Sequence, residues 1–214
     1  MSELEARAET MPYSMLDRAS LPQIKADRIV KLDIRSGVIP LASVGLDPSG
    51  LGAVIGDPSG PEILLVMDGP SRRESVMTRT VMASTEERTE SVGMVTFWQV
   101  ADSGAAAFAL LRDGIARWGF PEHRIERWIA NIEAEPDPDG KYSLSAGVGP
   151  AGLICQVLLD YKRDGRSVLT YDIYTSPDYR IPENIDAIKR TGKMDLTAVT
   201  QKQAETARRN AGRP

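Results

Sequence analysis

Gly147-Val148-Gly149-Pro150-Ala151-Gly152-Leu153 runs into Ile154-Cys155-Gln156-Val157-Leu158-Leu159-Asp160-Tyr161, and beyond Arg163-Asp164-Gly165-Arg166 comes Ser167-Val168-Leu169-Thr170-Tyr171-Asp172-Ile173-Tyr174. As a sheet, this stretch has a turn at Gly149-Pro150-Ala151-Gly152, with Pro at the second position pre-setting φ. Asp164-Gly165 is a two-residue hairpin signal between apolar runs. Pairing Arg163 with Arg166 predicts Tyr161 opposite Val168, Leu159 opposite Thr170, Val157 opposite Asp172 and Cys155 opposite Tyr174. Asp172 then shares a face with Cys155, Val157, Leu159 and Tyr174. An acid on such a face needs a partner or a raised pKa. Ile154, Leu158, Leu169, Tyr171 and Ile173 take the other face.

The same residues admit a second reading. Gly147, Gly149 and Gly152 match G-x-G-x-x-G, and the sequence through Leu153 resembles the opening of two-dinucleotide-binding flavoproteins, the FAD-dependent monooxygenases and pyridine-nucleotide reductases. That resemblance implies a helix after Gly152 whose N-terminal amides hold a pyrophosphate, and an acid, here Asp172, on a ribose. FAD or NAD(P) would be the cofactor. It covers one βαβ unit's worth of chain. The preceding Tyr142-Ser143-Leu144-Ser145-Ala146 is half polar, whereas a central parallel strand is usually a continuous apolar run. The sheet reading is therefore preferred, and strand or helix after Gly152 discriminates the two.

Working outward, Asp47-Pro48-Ser49-Gly50 recurs as Asp57-Pro58-Ser59-Gly60, two type I turn sequences one short strand apart, which predict a β-meander. Further strands are predicted over 28–34, 38–44, 51–55, 63–67, 75–84 and 92–100. Ile63-Leu64-Leu65-Val66-Met67 is apolar at every position, as expected when both faces of a sheet are covered. Ser103 is a good N-cap for a helix with the stripe Phe108, Leu111, Ile115, Trp118, ended by Gly119. Ile125, Trp128, Ile129 and Ile132 mark a second helix after Pro121, making an αα-hairpin whose two tryptophans seal it to the sheet. Asp137-Pro138-Asp139-Gly140 is a further turn. Pro182 opens a short helix stopped by Gly192, and Asp195 caps a last one running to about Arg209.

The expected class is α+β: an antiparallel β-meander sheet covered by an αα-hairpin, with a helical C-terminal tail. Residues 1–27 read as an N-terminal arm with one helical turn, 28–180 as a single domain and 181–214 as a basic tail. That tail holds seven Lys/Arg against four acids, while the chain as a whole is at −4 with a pI near 5.2. The acidic balance disfavours nucleic acid as a partner. No apolar run is long enough to span a membrane, and the acidic start lacks the order of a secretory signal, so a soluble, cytoplasmic protein is expected.

Chemistry-bearing residues are few. Cys155 is the single cysteine and His123 the single histidine. This disfavours a disulfide framework, a cysteine-based zinc site and a Ser-His-Asp triad, and no metal site is expected. His123 falls opposite a buried stripe, and Cys155 reads as a buried, inert thiol. Asp172, Tyr174 and Arg79 are the candidate catalytic or anchoring groups, with Arg79 placed between Met77 and Val81. They either form polar anchors in a ligand cavity or lie on mixed outer faces. Met67, Met77, Met82 and Met94 all fall in predicted strands, as cavity lining or core filler. Arg72-Arg73-Glu74-Ser75 reads as a solvated loop. The leading expectation is a non-catalytic binding or assembly protein, using a sheet face or the tail on a protein partner or small apolar ligand. A homo-oligomer is compatible with it. The alternatives are the flavin- or nicotinamide-dependent oxidoreductase and a cofactor-free cyclase or isomerase built around Asp172, Tyr174 and Arg79.

Overall fold

The computed structural model describes residues 2–86, 89–135, 140–163 and 165–211. The Asp137-Pro138-Asp139 turn and Asp164 of the Asp-Gly hairpin lie outside them. The architecture is α+β, built on two sheets.

The smaller sheet has the order β1-β3-β4, from β1 (Ile29–Asp33), β3 (Ile63–Asp68) and β4 (Arg73–Thr78). β3 is buried at every position, as its unbroken apolar run predicts. One face joins the main core. Leu64 and Val66 on the other pack under α1 (Glu3–Thr10), together with Ala8 and Ile29. β1 and β3 pair in parallel, a departure from the expected antiparallel meander.

The larger sheet is wholly antiparallel, in the order β2-β5-β6-β9-β8-β7. Its strands are β2 (Gly52–Gly56), β5 (Thr80–Glu86), β6 (Ser91–Ala101), β7 (Lys141–Val148), β8 (Ile154–Asp160) and β9 (Ser167–Tyr174). Sequence neighbours pair at β5–β6, β7–β8 and β8–β9, so the meander holds there. It fails at the twin turns. Asp47 and Asp57 do accept the Ser49 and Ser59 amides at 2.8 and 2.6 Å, as their sequence predicts. However, the second turn leads from β2 to β3, which belong to different sheets.

Two other local expectations are corrected. Residues 41–44 form a 3-10 turn, not a strand: Pro40 lacks an amide for a ladder, and Leu41 donates to the Glu90 carbonyl instead. The predicted strand over 75–84 is two strands, broken at Arg79. There the Thr78 hydroxyl bonds the Trp98 carbonyl (2.6 Å) and amide (3.2 Å), and the chain crosses from the small sheet to the large one.

The αα-hairpin, α3 (Gly104–Trp118) and α4 (Glu122–Ala134), covers one face of the large sheet as predicted. Ser103 caps α3 by accepting the Ala106 amide. Phe108, Leu111 and Trp118 from α3 meet Ile125, Ile129 and Ile132 from α4 in the core. Phe97, Tyr171 and Trp118 form its aromatic centre, with Phe97 and Tyr171 stacked at 4.9 Å. Trp128, expected to seal the core, is only partly buried and meets Tyr142 edge-on at the sheet margin.

The N-terminal residues hold two helices rather than one turn, α1 and α2 (Leu21–Asp27). Buried Lys31 ties them down by donating to the Ala8 and Met11 carbonyls at 2.8 and 2.9 Å. In the tail, α5 (Pro182–Thr191) ends at Gly192, and Asp195 caps α6 (Leu196–Ala211) through the Ala198 amide. The poor apolar face of α6 buries Val199 and is supplemented by a Thr206–Asp178 hydrogen bond of 2.8 Å. No helix among the described residues is long and apolar enough to cross a membrane.

Candidate functional site

The glycine cluster bends and packs the sheet. The Gly152 amide donates to the Gly149 carbonyl at 2.8 Å, closing the turn around Pro150, and Gly152 takes φ +76°. Strand β8, not a helix, follows. A Cβ on Gly147 would collide with the Trp118 carbonyl oxygen and lie 2.6 Å from the Gly119 carbonyl carbon. One on Gly149 would lie 2.6 Å from the Arg117 carbonyl oxygen. The end of α3 therefore occupies the space a diphosphate would need. The placement of Gly147, Gly149, Gly152 and Asp172 as a dinucleotide loop is corrected on this geometry: an amide-rich helix start is what would hold the phosphates, and the chain has a strand there.

The register at β8–β9 is one residue from the expected one. Val157 faces Tyr171, Cys155 faces Ile173 and Gln156 faces Asp172. A one-residue slip exchanges the faces of one strand relative to the other. The observed register gathers Cys155, Val157, Leu159, Leu169, Tyr171 and Ile173 in the core and turns Asp172 outward. Asp172 is thus not on the face of Cys155, Val157 and Leu159. Cys155 is fully buried, and burial pushes its thiol well up, as an inert cysteine requires.

On the outer face the ladder registers align side chains in rows. One row is Val54, Met82, Thr96, Asp172, Gln156 and Ala146. A flanking row carries Met94, Tyr174 and Ile154, and the other Trp98, Thr170 and Leu158. Most of these are half-buried. Asp172 therefore sits amid apolar and aromatic groups, and the Thr96 hydroxyl donates to it at 2.6 Å. Burial raises its pKa above the usual 3.8, which the Thr96 bond opposes in part. Tyr174, raised by burial and next by the Asp172 charge, donates to the Gln156 carbonyl at 2.9 Å. Gln156 in turn donates to Ser143 at 3.1 Å.

No family model, curated protein or solved structure matches this chain. The reading of the site thus rests on its own chemistry.

Beside the polar row a cavity of about 410 Å³ opens over the β7 margin, where Gln156, Tyr174 and Ser143 meet Arg124, Trp128 and Met194. Arg124 donates to the Thr191 carbonyl at 3.3 Å, and burial lowers its pKa. Arg79 does not join this group. It stands at the β4–β5 break, two strands over and three residues along from the level of Asp172, roughly 10 Å in the strand direction alone. His123 is exposed in the first turn of α4. Among the described residues no cluster of His, Cys, Asp and Glu is arranged to hold a metal ion. Thr96, Gln156 and Ser143 were not singled out from the sequence. Alternation along 94–100 marks Thr96 as outward-facing, but pairing across 76 residues of chain is what brings it to Asp172.

The raised Asp172 pKa carries a stability consequence. A carboxyl whose folded pKa exceeds its unfolded value contributes stability that is full below the unfolded pKa and lost as pH rises through the folded one. Asp172→Asn should therefore be more stable than the parent at about pH 7, with the difference closing near pH 3. Urea denaturation at the two pH values checks this. A variant less stable than the parent at neutral pH would show that the carboxylate is paired.

Proposed function

We propose that this chain is a binding protein that receives a small, largely apolar ligand on the outer face of its large sheet, with Asp172 taking a hydrogen-bond donor on that ligand. The supporting observation is the half-buried Asp172 carboxyl, set on an uncovered face of Met82, Met94, Trp98, Leu158 and Tyr174, with a single neutral hydroxyl as its printed hydrogen-bond partner. A partly buried carboxyl is costly unless paired, so such a site gains most from a ligand that brings a cation or an N–H group. Apolar groups at register spacing supply non-directional affinity for the rest of the molecule. The cavity at Gln156 and Ser143 extends the same face with hydroxyl and amide groups.

An arylalkylamine such as phenethylamine is the probe of choice, read by the fluorescence of Trp98 against a Trp98→Phe control. Asp172→Asn should weaken binding by about 1.5–3 kcal/mol, the worth of a hydrogen bond to a charged group. Undiminished affinity in that variant would remove Asp172 from the site. Self-association on the same face, or a protein partner competing with the amine, would replace the small ligand with a macromolecular occupant.

The raised Asp172 pKa favours one second reading, a cofactor-free cyclase or isomerase in which the protonated carboxyl acts as general acid beside Tyr174. Turnover of a bound ligand that disappears in Asp172→Asn while binding persists would select it.

A further inference from the structure

A second site, independent of the sheet face, lies at the opposite end of the αα-hairpin. We propose that the start of α3 binds a phosphate group. Ser103, Gly104, Ala105, Phe108, Arg112, Tyr161, Arg163 and Glu133 enclose a hollow of about 430 Å³. The first turn of α3 carries no acidic residue. The Ser103 hydroxyl takes the Ala106 amide, which leaves the Gly104 and Ala105 amides as the unpaired leading donors of a 15-residue helix.

The independent observation is Tyr161. It is 9 % exposed, and its ring is stacked on Phe108 at 5.3 Å. Among the described residues its hydroxyl has no hydrogen-bond partner. A Cβ on Gly104 would stand 2.6 Å from that hydroxyl, so the absent side chain lets the phenol reach the helix start. Arg112 is held by Glu126 through Nε and Nη2 at 2.8 Å each, and Arg163 is exposed on the rim. Glu133 is the opposing charge in the hollow, and Asp102, just outside, pairs with Arg166 at 3.2 Å. A tetrahedral oxyanion would receive the helix amides, the Tyr161 hydroxyl and the arginines together, which a helix terminus alone does not provide.

The test is titration of the full chain with inorganic phosphate, followed by amide NMR at Gly104 and Ala105. Saturable shifts of these amides are expected. Tyr161→Phe, which keeps the Phe108 stack, should weaken binding about tenfold, and Arg163→Gln should weaken it several-fold. Tighter binding of phenyl phosphate would assign the site to a phosphoester, and equal binding to the free ion. Absence of saturation at tens of millimolar phosphate would overturn the proposal. So would shifts that both variants leave unchanged.

Discussion

Gly147→Ala is expected to destabilise the protein by about 3 kcal/mol, at the upper end for overpacking. The added methyl has nowhere to go: the Trp118 carbonyl and the Gly119 backbone already occupy its position. Both are main-chain atoms at the end of a helix, so relief requires α3 to lift off β7 and take Trp118 with it. Gly50→Ala is the matched control. Its Cβ would meet the Asp47 carbonyl oxygen at 3.2 Å in an exposed turn, and the cost should be about 0.5 kcal/mol. Urea denaturation of both variants measures the contrast. Equal stabilities would mean that the hairpin does not seat on Gly147.

Phe97→Ala should be at least as damaging, at about 3–5 kcal/mol. Phe97 is 1 % exposed at the centre of β6, stacked on Tyr171 and tilted against Trp118 at 5.8 Å. Its removal opens a cavity where the sheet and α3 meet, bounded by rings fixed to separate elements that cannot collapse inward together. Because the outer face has no share in this cluster, Trp98→Ala should cost far less stability. Thermal denaturation of the two variants separates core from surface.

Where apolar periodicity was unambiguous, the sequence was a sufficient guide. The five-residue apolar run in β3, the stripes of α3 and α4, and the Pro182-to-Gly192 helix all lie where the pattern places them. The β8–β9 register was missed because the Asp164-Gly165 signal was weighed above the alternation. Odd-numbered 155, 157 and 159 and odd-numbered 169, 171 and 173 are apolar, and burying both sets together outweighs a two-residue turn. The β4–β5 break leaves no trace in sequence: Thr78-Arg79-Thr80 contains neither Gly nor Pro, and the crossing depends on the Thr78 bonds to distant Trp98. Residues 41–44 show the opposite limit, since a 3-10 turn and a short strand share an apolar composition. Asp172 and Tyr174 were legible as candidates because their strand was. Their neighbours Thr96 and Gln156 were not, since sequence gives the composition of a sheet row only once strand order and register are known.

The most direct test follows the Asp172 carboxyl itself by carbon-detected NMR across an acid titration, with and without phenethylamine. A receptor on an apolar sheet face predicts a midpoint above 3.8 in the free protein and a lower one once an ammonium group sits beside the carboxylate. A midpoint at or below 3.8, unmoved by the amine, would contradict it.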